Sequence, residues 1–344
     1  MYPKPKKLNE MKAIIPVAGA GTRLRPFTYT QPKALIPVAG KPIISYIIDD
    51  LLAVGIKDFV FIVGYLGDKI VDFVNENYPD IEANFVYQTQ REGLGQAIYL
   101  TREYVQDDEE IVILLGDSLI EIDPSFFEEN TTSSIAIKKV NDPQNFGLVE
   151  LNDKGTISKF VEKPNFPFSN LAMVGLYRIK ETALFMSILE KLNKDDIRTN
   201  GEIQLTDALE LMIKEQITFK PFFVTNWLDV GKGDVLLQSN AILLKKYNTF
   251  IEKTATIENS VIIDPVYIAG NAMIKNAIVG PNVTIGENTE VCNSIIDNGI
   301  IGSYSKLKTI QLTQFVIGSD SSLKGSLKSL TVGDNTDIDF SFDR

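Results

Sequence analysis

Two consecutive stretches near the start of the sequence decide the fold: Lys12-Ala-Ile-Ile-Pro-Val-Ala18 and Gly19-Ala20-Gly21-Thr22-Arg23-Leu24-Arg25-Pro26. The first is a short, apolar, β-branched run that predicts a buried strand. The second is a glycine loop at the place where a doubly wound sheet presents its ligand. Glycines let backbone N–H groups approach phosphoryl oxygens, and the Arg23 guanidinium adds a planar set of donors. The two stretches together predict a phosphate-binding loop after the first strand.

The glycine loop differs from two common nucleotide-binding motifs. A dinucleotide-binding loop would need a third glycine where Leu24 stands, and the chain has prolines at positions 26, 32 and 37. A P-loop would need Gly-Lys-Ser/Thr after the glycine pair, which this sequence lacks. The chain continues instead with Gln31-Pro32-Lys33-Ala34-Leu35-Ile36-Pro37-Val38, in which prolines stiffen the backbone around one lysine. We expect Lys33 to meet phosphate charge.

Composition and charge exclude several classes of function. The 344 residues, at about 150 per domain, predict two domains. The 45 acidic and 34 basic side chains give a net charge of −11, which argues against nucleic acid as a partner. The absence of histidine excludes Ser-His-Asp and Cys-His catalysis and histidine metal ligands. Because Cys292 is the one cysteine and no apolar run could span a bilayer, we expect a cytoplasmic protein without an intrachain disulfide or a membrane segment.

Residues 11–249 are predicted to form one α/β domain. Up to Asp117, short apolar runs alternate with helical patterns, as expected for parallel strands joined by crossover helices. Pro42 and Gly55 delimit one such helix, since proline favours the first helical position and glycine the end. After Asp117 the pattern changes to strands separated by turns, and a helix over Asp234 to Tyr247 ends the domain. The predicted fold is a Rossmann-like, doubly wound mixed sheet.

Residues 250–344 have a different pattern, in which aliphatic residues recur every six positions. Val279, Ile285 and Val291 mark two such steps, and Ile285, Ile301 and Ile317 are spaced by 16 residues. A β-sandwich would instead show a period of two within each strand. The six-residue period predicts a hexapeptide solenoid, in which each coil buries its aliphatic side chains by stacking on its neighbours.

A solenoid ends in a coil whose strand edges and apolar surface need a cover. Phe340 and Phe342 alternate with polar residues at the end of the sequence and are predicted to form part of that cover. A neighbouring subunit is the other common cover for such a coil. We therefore expect the repeat domain to assemble a homo-oligomer.

Over residues 11–245 the sequence resembles the sugar-1-phosphate nucleotidyltransferases. The glycine loop, the Lys33 segment and Lys41-Pro42 match that family in order and spacing. Further matching elements are Leu94-Gly95-Gln96-Ala97, Gly116-Asp117, Val161-Glu162-Lys163-Pro164, Gly175-Leu176-Tyr177, Gly201-Glu202-Ile203-Gln204-Leu205-Thr206-Asp207 and Trp227-Leu228-Asp229-Val230-Gly231. The pattern is most similar to glucose-1-phosphate thymidylyl- and uridylyltransferases with a hexapeptide tail. That likeness implies a left-handed parallel β-helix for residues 250–344.

The resemblance implies a metal site formed by two carboxylates. Asp117 and Asp229 match the residues that hold Mg²⁺ between them, and carboxylate oxygens suit this hard cation. The family usually has Asn or Asp after the first of these ligands, whereas this chain has Ser118. A hydroxyl at that position can still hydrogen-bond to groups around the metal or the sugar.

The resemblance also assigns substrate contacts. Arg23 and Lys33 match the cations that contact the nucleotide phosphates, and Lys163 matches the lysine that holds the sugar phosphate. The pyrimidine edge would be met by Gln90 or Gln88, and we prefer Gln90 because it keeps the four-residue step to Leu94. The implied catalytic residues are Arg23, Lys33, Asp117, Lys163 and Asp229. The other implied contacts are Gly19, Ala20, Gly21, Thr22, Gln90 and Gly95 for the nucleotide, and Gly147, Glu162, Lys163 and Gly175 for the sugar.

The implied reaction is in-line attack by a sugar 1-phosphate oxygen on the α-phosphorus of a nucleoside triphosphate. The nucleophile is already an anion, so a chain without histidine can carry out this chemistry. Glucose 1-phosphate with dTTP or UTP is the expected substrate pair, and mannose-1-phosphate guanylyltransferase is the alternative. A catalytically silent scaffold is a second alternative, which the joint presence of the five catalytic residues opposes. A third, acetyl transfer by the repeat domain, lacks the histidine base that related enzymes use.

Overall fold

The computed structural model describes residues 11–127, 132–231, 233–325 and 331–339, so Phe340 and Phe342 lie outside the described residues. Backbone packing divides the chain into two compact units. The first contains the residues up to Gly19 and Tyr46–Asp229, and the second contains Ala20–Ser45 and the residues from Val230 onward. Most of the glycine loop and all of the Lys33 segment are therefore grouped with the hexapeptide repeats. This grouping differs from the single division at residue 249 that the sequence pattern predicts.

From residue 41 to residue 114 the elements alternate between strands and α-helices. In chain order the elements are β1 (Lys12–Pro16), β2 (Pro37–Val38), β3 (Lys41–Pro42), α1 (Ile43–Ala53), β4 (Asp58–Val63), α2 (Gly67–Asn77), β5 (Glu82–Tyr87), α3 (Leu94–Tyr99), β6 (Ile111–Leu114), β7 (Ser118–Ile120), β8 (Ser133–Lys139), β9 (Leu148–Leu151), β10 (Ile157–Val161), β11 (Leu171–Ile179), α4 (Thr182–Lys194), α5 (Leu205–Lys214), β12 (Phe219–Phe223), β13 (Trp227–Asp229) and α6 (Gly233–Tyr247). The longest described helix, α6, has 15 residues, and no helix in the described ranges has the length and hydropathy of a membrane span.

The first unit is built on a nine-stranded mixed sheet with the order β5-β4-β1-β6-β11-β8-β12-β10-β9. The strands β5, β4, β1 and β6 are parallel, and β11 pairs antiparallel with both β6 and β8. This parallel part has the order expected of the start of a Rossmann-like sheet. The predicted mixed α/β fold is therefore confirmed, and the carboxyl ends of β1 and β6 are neighbours at one edge of the sheet.

Apolar strands and helices form the core of the first unit. All four residues of β6 are buried, as are five of the six in β4, so these strands carry continuous rather than alternating apolar runs. Helices α4 and α5 pack on each other and contribute Phe185, Leu189, Leu209 and Met212 to the same cluster. The buried guanidinium of Arg178 is paired with the Glu110 carboxylate at 2.8 Å, so this buried charge is compensated.

In the described coils, the repeats of the second unit consist of short strands that pair in parallel. The strands are β14 (Phe250–Ile251), β15 (Thr256–Glu258), β16 (Val261–Ile262), β17 (Val266–Ile268), β18 (Met273–Lys275), β19 (Ile278–Val279), β20 (Val283–Ile285), β21 (Glu290–Cys292), β22 (Ile295–Ile301), β23 (Lys306–Lys308), β24 (Gln311–Ile317), β25 (Ser322–Lys324), β26 (Thr331–Val332) and β27 (Asp337–Asp339).

These strands form three parallel ladders. One runs β14-β17-β20, a second β16-β19, and both continue through the longer strands β22 and β24, while the third runs β15-β18-β21-β23-β25-β27. Val266 pairs with Val283 and Gly299 pairs with Phe315, which gives coils of 17 and 16 residues. The predicted repeat solenoid is thus confirmed for the described coils, whereas its left-handed winding stays a prediction.

Candidate active site

The glycine segment, residues 20–45, is folded by three short 3₁₀ helices over Thr22–Leu24, Phe27–Tyr29 and Lys33–Leu35. Gly21 has a φ of +60°, a left-handed conformation that favours glycine. A Cβ at this position would lie 2.8 Å from Thr28 Cγ2 and 3.0 Å from Lys33 Cβ. The Thr28 hydroxyl donates to the Gly21 carbonyl at 2.9 Å. Gly21 therefore permits the close packing that brings Lys33 beside the loop carrying the exposed Arg23.

Asp117 and Asp229 lie at the ends of two paired strands in the first unit. Asp117 directly precedes β7, Asp229 ends β13, and the antiparallel pairing of these strands places Asp229 opposite Ser118. Opposed residues in such a pair have Cβ atoms about 4.5–5.5 Å apart, so the two aspartates occupy neighbouring positions. The hydrogen bond from the Gly116 amide to the Pro16 carbonyl, at 3.2 Å, ties this turn to the end of β1.

This pair of carboxylates has the donor chemistry that Mg²⁺ requires. Mg²⁺ in proteins is usually bound through one or two carboxylates and keeps water and substrate phosphate as its other ligands. Within the described ranges, no cluster of three or more acidic or cysteine side chains forms a fuller protein cage. The residues present therefore fit a magnesium ion, which Asp117 and Asp229 would hold.

A second polar cluster surrounds Glu162 at the end of β10. Its Oε2 accepts a hydrogen bond from the Thr206 hydroxyl at 2.7 Å, and its Oε1 lies 3.2 Å from Lys163 Nζ. The Glu162 side chain is 13% exposed and that of Lys163 is 54% exposed, so the carboxylate lies inside and the ammonium can still reach solvent. A Cβ at Gly147 would approach Glu162 Oε2 to 3.0 Å and Met173 Cε to 2.4 Å. The glycine keeps open the space beside the carboxylate.

Gly175 and Tyr177 on β11 connect this cluster to the aspartates. Gly175 has a φ of +94°, and a Cβ there would lie 2.8 Å from Ser118 Oγ. Burial raises the pKa of the Tyr177 phenol well above its ordinary value, and the charges of Glu162 and Asp117 raise the pKa further. Met173 on the same strand would touch a Cβ at Gly147 beside Glu162, and Gly175 lies against Ser118 beside Asp117, so β11 passes both clusters. The structure thus brings together Asp117, Asp229, Gly147, Glu162, Lys163 and Gly175.

The loop before α3 and the first turn of α3 carry the residues predicted to meet the base. The Gly95 amide donates to the Ile203 carbonyl at 2.8 Å, and a Cβ at position 95 would lie 2.9 Å from the carbonyl oxygens of both Ile203 and Gln204. Close backbone packing is therefore sufficient to explain this glycine. Gln88 Nε2 donates to Gln96 Oε1 at 2.8 Å, whereas Gln90 is exposed on the same loop. Of the two glutamines considered, Gln90 presents its side chain to solvent.

Three residues near these clusters were not among the predicted site residues. Thr206 holds Glu162, the charges of Glu162 and Asp117 raise the pKa of the Tyr177 phenol, and the Trp227 ring contacts Phe146 edge-on at 5.1 Å between centroids. The Trp227 Nε1 is buried, and no residue in the described ranges accepts its hydrogen bond. All three lie within the motifs that carry the family resemblance, so a sequence signal existed, but it did not show which side chains contact the cluster.

Comparison with known proteins gives a family for each part of the chain. The nucleotidyl transferase family matches residues 12–246, and the GlmU-like C-terminal hexapeptide family matches residues 247–306. The bifunctional protein GlmU of Methanocaldococcus jannaschii is 36% identical over 92% of this chain and 73% of its own length. Glucose-1-phosphate thymidylyltransferase of Streptomyces griseus is 27% identical over 85% of this chain and 87% of its own length.

The solved structures agree with this assignment. A UDP-glucose pyrophosphorylase in complex with UDP-glucose superposes with a TM-score of 0.60 at 26% identity, covering 69% of this chain and 99% of that protein. The parallel hexapeptide coils of the second unit agree with the matched hexapeptide family. The chain therefore belongs to the nucleotidyl transferase family, within its sugar-1-phosphate nucleotidyltransferases, and carries a GlmU-like hexapeptide domain.

Proposed function

We propose that this enzyme transfers a nucleotidyl group from dTTP or UTP to glucose 1-phosphate, with Mg²⁺ as its cofactor, and releases pyrophosphate. The observation that carries the proposal is the register of β7 and β13, which places Asp229 opposite Ser118 and therefore next to Asp117. The Glu162 cluster, with Thr206, Lys163 and Gly147 around the carboxylate, supplies a second polar region of the first unit. Two of the compared proteins are named for glucose compounds, which supports the choice of sugar.

The reaction needs charge stabilisation more than proton transfer. A phosphate oxygen of the sugar 1-phosphate attacks the α-phosphorus, the new O–P bond forms, and the bond to the bridging oxygen breaks as pyrophosphate leaves with the electron pair. Because the nucleophile is an anion, the chain's lack of a histidine base is no obstacle. Mg²⁺, when bound, would neutralise phosphate charge at the two aspartates. Arg23 and Lys33 would hold the triphosphate and Lys163 the sugar phosphate.

The neighbours of Glu162 support its proposed contact with sugar hydroxyls. The Thr206 hydroxyl fixes one carboxylate oxygen and Lys163 pairs with the other, so the orientation of the carboxylate is set before substrate binds. Gly147 and Gly175 would offer backbone groups at positions where a side chain would collide with the cluster. Gln90 is the proposed contact of the pyrimidine edge, and the packing of Gly95 on residues 203–204 would hold its loop in place.

A pyrophosphate-release assay tests the proposal. Each nucleoside triphosphate is paired with glucose, galactose, mannose and N-acetylglucosamine 1-phosphates, with and without Mg²⁺. We expect the highest kcat/KM for glucose 1-phosphate with dTTP or UTP and no release without the metal. A higher kcat/KM for GTP with mannose 1-phosphate would contradict the proposed substrates and identify the enzyme as a mannose-1-phosphate guanylyltransferase. Absence of release with every pair would instead favour a silent scaffold.

We also propose that the hexapeptide domain assembles a homo-oligomer. Val261, Ile278 and Ile295 occupy the same register position in consecutive coils and are 56%, 38% and 45% exposed. Such an apolar ladder on a repeat surface suits contact with a second copy of the chain. Light scattering should report an oligomer that Ile278→Lys weakens, and a monomeric wild type would contradict the proposal. Acetyl transfer from acetyl-CoA to glucosamine 1-phosphate is expected to be absent.

A further inference from the structure

The last described coil of the solenoid contacts the glycine segment. Asp334 Oδ1 accepts a hydrogen bond from the Ser319 amide at 2.7 Å, which anchors this carboxylate within the coils. Its other oxygen, Oδ2, accepts a hydrogen bond from the Thr30 hydroxyl. A Cβ at the adjacent Gly333 would lie 2.8 Å from Pro26 Cβ, so backbone and proline ring pack closely there. One end of the Arg23 loop therefore rests on the coil turn at residues 333–334.

A second set of contacts holds the other side of the glycine segment. The buried side chain of Asn240 on α6 accepts hydrogen bonds from the Ala39 amide at 2.9 Å and from the Thr284 hydroxyl at 2.7 Å. Its amide nitrogen donates to the Asn282 carbonyl at 3.1 Å. One asparagine thus links the turn between β2 and β3 to the coil that contains β20. Three hydrogen bonds from one fully buried amide fix its orientation.

Aromatic packing adds to this second set of contacts. Gly40 has a φ of +88°, and a Cβ at this position would lie 2.3 Å from the ring of Tyr267 on β17. The same ring stacks on Phe250 of β14 with centroids 5.6 Å apart. The turn at Gly40 therefore packs against the Tyr267 ring, which is itself supported by Phe250. Lys33 lies in sequence between the two contact regions, at residues 26–30 and 39–40.

We propose that the hexapeptide coils position the phosphate-binding residues Arg23 and Lys33 of the transferase. This inference rests on the proposed function, because it takes Arg23 and Lys33 as contacts of the triphosphate. Thr30, Asn240, Tyr267 and Asp334 are then positioning residues that touch no substrate themselves. The effect would reach the loop through Thr28, which lies two residues before Thr30. The Thr28 hydroxyl donates a hydrogen bond to the Gly21 carbonyl.

Thr30→Val is the decisive variant, because it removes the hydroxyl and keeps the shape of the side chain. The control is Thr313→Val, since Thr313 also donates to an aspartate, Asp297, at 2.7 Å, but entirely within the coils. We expect Thr30→Val to lower kcat/KM for the nucleotide about fivefold to tenfold, as loss of a hydrogen bond to a carboxylate would. The KM for the sugar phosphate should not change, Thr30→Ser should restore the wild-type value, and Thr313→Val should match wild type.

Hydrogen exchange provides a readout that does not need catalysis. The amides of residues 20–38 should exchange faster in Thr30→Val than in the wild type, and at the wild-type rate in Thr313→Val. One of them is the Leu24 amide, which donates to the Gly21 carbonyl at 2.8 Å. Equal exchange in the two variants, or an equal loss of activity in both, would overturn the inference. If the wild type releases no pyrophosphate while Thr30→Val still exchanges faster than Thr313→Val, the proposed function is refuted and the positioning contact is established.

Discussion

Replacement of Gly175 by alanine tests how the cluster around Asp117 is held. The backbone at Gly175 has a φ of +94°, and the new Cβ would lie 2.8 Å from Ser118 Oγ and 3.0 Å from Leu115 Cδ1. A left-handed conformation costs an L-residue about 1–2 kcal/mol. Overpacking of a filled site costs about 1–3 kcal/mol more, so the expected loss of unfolding free energy is about 2–5 kcal/mol.

A matched control separates the two contributions. Gly155 also has a positive φ, +74°, but a Cβ there would meet no atom within 4 Å. Urea denaturation of Gly155→Ala should therefore report the backbone cost alone, about 1–2 kcal/mol. The double variant Gly175→Ala/Ser118→Ala removes the nearest contact and should recover part of the packing cost, as a double-mutant cycle would show.

Turnover should fall in the variant whose new Cβ collides with its neighbours, and not in the variant that carries only the backbone cost. Ser118 adjoins Asp117 and is paired with Asp229, so a side chain that displaces Ser118 moves the two aspartates as well. Because small misplacements of catalytic groups are costly, we expect kcat of Gly175→Ala to fall about tenfold to hundredfold, with Gly155→Ala unaffected. The reasoning fails if the two single variants lose equal stability, or if Gly175→Ala keeps full turnover in the pyrophosphate assay.

Three further predictions concern charged residues of the site and of α5. Asp117→Asn and Asp229→Asn should each lose most activity at saturating Mg²⁺ while circular dichroism shows an unchanged fold, and normal turnover in both would remove them as metal ligands. In isothermal titration, Lys163→Ala should weaken binding of glucose 1-phosphate, and Arg23→Ala should weaken binding of the nucleotide. The reverse pattern would mean that Lys163 contacts the nucleotide and Arg23 the sugar phosphate. Burial and nearby carboxylates raise the pKa of Asp207, so its ionisation destabilises the fold as pH rises through the raised pKa. Asp207→Asn should therefore increase the melting temperature at neutral pH, and this gain should shrink as the pH falls below the unfolded pKa of about 4. A gain of equal size at neutral pH and below the unfolded pKa would refute this account.

Local sequence patterns predicted the parallel half of the sheet and the repeat coils, because their signals lie within single elements. The apolar run of β1 and the six-residue period are examples. Strand β12, Phe219–Phe223, was not predicted because a proline such as Pro221 argues against a central strand, and its parallel pairing with residues 133–137 depends on a distant segment. Strands β7 and β13 have three residues each and are defined by their pairing with each other. Such short strands carry too little periodicity to be predicted.

For the site, too, sequence motifs identified residues, whereas the contacts between those residues depend on segments that are distant in the sequence. Motif matching named Glu162, but the bond from Thr206 depends on the packing of α5 against β10. Gly95 was expected to contact the base. In the structure its amide donates to the Ile203 carbonyl, and a Cβ at position 95 would collide with residues 203–204, so packing alone explains why glycine is needed there. A motif therefore shows which residues belong to a site before it shows which of them meet substrate and which support the others.

The grouping of the glycine segment with the repeats has a physical reason that no motif contains. The segment forms three-residue 3₁₀ helices and two-residue strands, which satisfy few of its own backbone hydrogen bonds. Its order must therefore come from other elements, and the Asn240 and Asp334 contacts provide it. The rigidity of the phosphate-binding loop is then a property of tertiary packing. Substitutions in the coils that face this segment should alter nucleotide use even though they change no residue of the family motifs.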